Sequence, residues 1–194
     1  MESNMKYIGR TALIILLSLS EIACASQDLN VLVPVEARAA TSGITINRTA
    51  HPIMLPLGTL AGATFIGSEG ELIVYEGNKG LYASVVTQED WGTTLADFHR
   101  VPEYVFKRDL ASIHDPEFRK ELEGIILITL EPAVEKVLSV MTIGKITAYI
   151  AFNPEKSIIM LSSPDKPDLF TRLVLNRFSW EEIENEILKG IKEH

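Results

Sequence analysis

Two β-rich runs joined by a Gly/Asn turn constrain this chain more than any other feature. Glu71 to Glu76 (ELIVYE) and Leu81 to Thr87 (LYASVVT) flank Gly77-Asn78-Lys79-Gly80, residue types that tolerate the left-handed backbone of a tight hairpin. Ile146 to Phe152 (ITAYIAF) and Ser157 to Ser163 (SIIMLSS) repeat the pattern around Asn153-Pro154-Glu155-Lys156. Two hairpins commit the chain to antiparallel pairing. The second ends at Ser163, because Pro164 and Pro167 force a loop there. Leu169 to Leu175 reads as a further strand.

Helical patterns stand between and after these runs. From Thr93 to Leu110 apolar residues recur on one face, with Pro102 interrupting them, and one or two short helices fit. Asp115-Pro116-Glu117 is a stronger start signal: a side-chain acceptor for free backbone N–H groups, a preset φ, and an acid at the positive end of the dipole. That helix should pass through Phe118, Leu122 and Ile125. Ile125 to Leu130 (IILITL) has strand composition, and periodicity does not separate a buried helix from a strand in so short a run. At the C-terminus, Ser179-Trp180-Glu181-Glu182 forms a capping box ahead of a Trp180, Ile183, Ile187, Ile191 stripe. The expected fold is α+β: mainly an antiparallel sheet of hairpins packed against helices, with an amphipathic C-terminal helix. A strand at Ile125 to Leu130 would add a parallel member.

The first 25 residues read differently. Lys6 and Arg10 form a basic start, Thr11 to Leu19 an apolar run, and Ala23-Cys24-Ala25 a small-residue cleavage site, which together make an export signal. The apolar run falls well short of the roughly 20 residues that cross a bilayer, so no transmembrane span is expected in the mature chain. Cys24 supplies a competing reading, a lipid anchor at that residue. Glu21 stands where lipoprotein signals usually carry Leu, which favours cleavage after Ala25. The organisation expected is a signal peptide over 1–25, a leader or edge strand over 26–50, and one globular domain over 51–194. The location expected is periplasmic or secreted, with lipid anchoring in the envelope as the alternative.

Charge and cysteine usage exclude several functions. Cys24 is the only cysteine, so an exported domain carries no disulfide, thiol nucleophile or zinc–cysteine site. The net charge is −8, which disfavours nucleic acid and suits a basic protein partner. Catalytic sets are incomplete. Asp97, His99, His114 and Asp115 place carboxylates near imidazoles, the minimal ingredients of acid–base chemistry, but residues one or two apart on a helix do not face the same way. Gly67-Ser68-Glu69-Gly70 lacks the G-x-S-x-G spacing of a nucleophile elbow. Glu181, Glu182, Glu184 and Glu186 read as a solvated helix face. No catalytic, cofactor or metal residues are assigned. Glu89, Asp90 and Trp91 lie between the first hairpin and the first helical pattern, where loops commonly carry recognition, and are the candidate partner-binding residues. The function expected is a non-enzymatic binding protein of the inhibitor or immunity type that captures a toxin or enzyme. The alternative is an envelope hydrolase with a dispersed His/Asp site.

Overall fold

A computed structural model of the chain describes residues 30–31, 43–46, 49–67, 70–92, 95, 97–130 and 137–192. The segment expected to be an export signal, residues 1–25 with Ala23, Cys24 and Ala25, lies outside the described residues. Among the described residues ten strands run in chain order: β1 (Asn30–Val31), β2 (Gly43–Ile46), β3 (Ile53–Pro56), β4 (Ala63–Ile66), β5 (Leu72–Tyr75), β6 (Gly80–Thr87), β7 (Val137–Ile143), β8 (Ile146–Phe152), β9 (Lys156–Ser162) and β10 (Leu169–Asn176). Two helices, α1 (Val101–Lys107) and α2 (Pro116–Leu130), fall between β6 and β7. Eight strands form one sheet in the order β1-β7-β8-β9-β10-β6-β5-β4, and β2 and β3 form a separate hairpin. Every pairing is antiparallel except β1 with β7. This is the α+β fold expected from the hairpins.

Period-two alternation divides the central strands between two cores. On β9, Ile159 and Leu161 face one side while Ile158 and Met160 face the other. The first side is covered by the β2–β3 hairpin and the C-terminal helix, through Ile53, Leu55, Ile183, Ile187 and Leu188. The second is covered by α1 and α2, through Val105, Phe106, Phe118, Leu122 and Ile126. Thr171, fully buried on β10, satisfies the loop before β3 by accepting from the Ala50 N–H at 2.9 Å.

The C-terminal capping box is present. Glu182 N donates to Ser179 Oγ at 3.2 Å and Ser179 N donates to Glu182 Oε2 at 2.8 Å. The helix it starts is α-helical only over Trp180–Glu182, then widens to a π turn over Ile183–Ile187 and tightens over Leu188–Gly190. Gly190 closes it because its Cα lies so near the Met54 carbonyl that a Cβ would collide with backbone.

Three readings change. Pro102 does not interrupt a helix; it sits in the first turn of α1, where its missing N–H costs no bond. Ile125 to Leu130 is helical, the last turn and a half of α2. The Asp115 cap nucleates α2, and continuing a nucleated helix adds one hydrogen bond per residue fixed, so strand-forming composition does not end it. Val137–Ile143, not singled out from sequence, is β7, joined to β8 through Gly144 at φ +56°.

Candidate functional site

Asp115 places α2. Its Oδ1 accepts from the N–H groups of Glu117 (2.9 Å) and Phe118 (3.2 Å), while Arg119 reaches back to the Ile113 carbonyl. From that start Phe118, Leu122, Ile126 and Leu130 point into the core. Glu121, Gly124, Ile125 and Ile128, at helical spacing on an adjacent stripe, instead line a groove with Asp90, Trp91 and Arg172. Its volume is about 400 Å³ and it opens broadly to solvent. Ile128 is 70% exposed. The lining carries two carboxylates against one cation, so the groove is acidic by one charge at neutral pH.

A second groove of about 390 Å³ is lined by Glu71, Tyr82, Ala83, Ser84 and Val85. It exists because β5 is shorter than β6: their register covers only Gly80 to Tyr82 of β6. Ser84 opposes Arg172 across the β6–β10 ladder, and opposed residues share a face. The two grooves therefore adjoin at that pair. The Ser84 hydroxyl oxygen is buried with no hydrogen-bond partner among the described residues, which is unusual for a polar atom in a folded protein. Leu72 and Tyr82, both exposed, extend the apolar surface toward the sheet end.

The loop carrying Glu89, Asp90 and Trp91 borders the first groove. Asp90 Oδ2 accepts from Thr87 Oγ1 (2.7 Å) and Thr87 N (3.1 Å); the side-chain bond, then the backbone one, hold the Asp90 carboxyl below its usual range and keep it ionised. Trp91 is half-buried. Its ring meets Phe98, Phe118 and Phe170 at centroid distances of 5.3, 5.9 and 6.2 Å, so it fixes the loop to the core while one edge lines the groove. Glu89 is exposed and does not line the groove.

The His/Asp residues occupy other places. Asp97 is exposed ahead of the turn at Phe98–Arg100; His99, in that turn, is half-buried and its backbone N–H donates to the Pro167 carbonyl at 2.9 Å. His114 is exposed, and Asp115 caps α2. None of the four lines either groove. Among the described residues no group of three His, Cys, Asp or Glu is placed to hold a metal ion, and no helix is long and apolar enough to cross a membrane.

Sequence reasoning missed most of the groove. Ile128 lies off the buried stripe of α2, and Arg172 is the single charge inside the Leu169–Asn176 strand; both signals were present, but each names a surface only once the packing of α2 is known. Comparison with protein-family models, curated proteins and solved structures finds no match for this chain.

Proposed function

We propose that the chain is an exported, non-enzymatic binding protein that holds a basic protein partner against the grooves beside α2. The signal over 1–25 directs it to the periplasm or outside the cell, and capture of a toxin or enzyme is the role that fits this chemistry. The observation that carries the reading is the paired grooves: open, apolar at Ile125 and Ile128, and acidic at Asp90 and Glu121. Open concavities of this shape suit a protein segment better than a small molecule, which binds where most of its surface is enclosed. The net charge of −8 draws a basic partner, and that attraction acts chiefly on the association rate.

The test is affinity capture from the source envelope fraction with the wild-type chain and with Ile128→Lys, an exposed change that leaves the core intact. A partner recovered by wild type and lost by Ile128→Lys supports the groove. Its association rate should fall as salt rises from 0.01 to 0.15 M, where the Debye length shrinks from about 30 to about 8 Å. A partner held equally by both chains rejects the groove as its site.

A further inference from the structure

We infer that Arg172 reads a carboxylate on the captured partner, so that the segment entering the groove beside α2 carries an acidic residue as well as basic and apolar ones; this rests on that groove being the capture site. Five arginines fall among the described residues. Arg100 pairs with Glu103 and Arg177 with Glu155, Arg119 is bonded to the Ile113 carbonyl, and Arg108 is engaged as well. Only the Arg172 guanidinium has no hydrogen bond or ion pair among the described residues, although two carboxylates, Asp90 and Glu121, line the same groove.

The fold keeps these charges apart. Asp90 is tied back to the Thr87 hydroxyl and N–H on the loop after β6. Glu121 stands on α2 with no partner among the described residues, and Arg172 stands on β10. The groove therefore offers an unpaired anion and an unpaired cation from different walls, with Ile125 and Ile128 lining it as well.

Charge complementarity selects the occupant. A purely basic segment would satisfy Glu121 and Asp90 but bring a like charge up to Arg172, and such juxtapositions reject wrong partners. One acidic residue beside the basic ones satisfies both walls, because the guanidinium fork matches a carboxylate bidentately. Without Arg172 the groove would accept any cationic segment; with it, mixed charge is required. The setting strengthens such a pair. Arg172 is exposed, flanked by Met160 on β9 and Ser84 on β6, and Phe170 and Val174 lie on its own face of β10. Its stem runs over apolar neighbours while its head meets solvent. A partner that covers it withdraws the ion pair from water, where exposed pairs are worth little.

Selection of random short peptides displayed on phage, against the immobilised chain, reads this preference directly. Wild type should enrich peptides that combine an acidic residue with basic and apolar ones. Arg172→Glu, an exposed change checked for folding by circular dichroism, should enrich basic and apolar peptides from which the acidic residue is lost. Glu121→Gln should weaken the basic preference and keep the acidic one. By fluorescence anisotropy, a synthetic copy of the most enriched wild-type peptide should bind Arg172→Gln about tenfold more weakly, and Arg172→Lys should recover part of the loss. If wild type and Arg172→Glu enrich the same basic peptides, Arg172 has no such role and the groove still stands as the capture site. Peptides enriched equally by wild type and Ile128→Lys, or none enriched by either, overturn the groove and the role of Arg172 together.

Discussion

Strands β9 and β5 belong to one sheet and differ in what covers them. On β9 every residue from Ser157 to Ser162 is buried, because the β2–β3 hairpin and the C-terminal helix cover one face while α1 and α2 cover the other. On β5 only Ile73 is buried; Val74 and Tyr75 are partly covered and Leu72 is exposed. The helical layer stops short, since α1 packs on β8 and β9 and α2 packs on α1. The β9 side of the sheet supplies stability. The β4 to β6 end supplies surface: one groove lies there, and the groove beside α2 adjoins it at Ser84 and Arg172.

Substitutions should separate the two ends by free energy. Phe170→Ala removes a ring that is 2% exposed at the centre of the aromatic cluster and should cost about 3–5 kcal/mol in a denaturant titration, with Ile159→Ala at about 2–5 kcal/mol. Leu72→Ala should stay within about 0.5 kcal/mol, as surface changes do. Comparable costs at Ile159 and Leu72 would break the distinction. Trp91→Ala belongs to both sides: losing a half-buried ring should cost about 2 kcal/mol of stability and speed partner dissociation.

Smaller effects test the C-terminal helix. Ser179→Ala should cost about 1 kcal/mol through loss of the cap. Burial raises the Glu182 carboxyl, but hydrogen bonds from Lys79 and Ser179 outweigh it and hold the pKa below the ordinary value of 4.5. A depressed folded pKa gives stability that is present above the unfolded value and lost as pH falls through the folded one. The chain should therefore weaken below about pH 4.5, and Glu182→Gln should flatten that slope. At the alkaline end burial pushes Tyr75 and Tyr149 up to about 12, aided at Tyr75 by Glu186 and Glu182. Raised pKa values of this kind give stability that is complete below about pH 10 and lost toward pH 12. Absorbance titration should show these two rings ionising at about pH 12.

Legibility in the sequence followed the range of the interaction. Turn chemistry at Gly77-Asn78 and Asn153-Pro154, and the Ser179 to Glu182 box, are settled within a few residues, and all three appear as read. The two strand-like runs that misled or escaped depend on distant partners. Ile125 to Leu130 is helical because of a cap ten residues earlier, and Val137–Ile143 is held by pairing with β8 on one side and β1 on the other. The grooves are less local still. Arg172 and Ile128 come to line one groove only once α2 is packed in place, which no spacing in either segment encodes. Trp91 was visible as an aromatic in a loop; its attachment to Phe98, Phe118 and Phe170 was not.

Hydrogen exchange on the chain alone and saturated with its captured partner tests the central claim most directly. Exchange should slow in the segments spanning Glu121–Ile128 and Tyr82–Trp91 and stay unchanged in β7, β8 and β9, whose amides are already held in the doubly covered sheet. Slowing confined to the Asp97–His99 and His114–Asp115 segments, with Glu121–Ile128 unaffected, would contradict it.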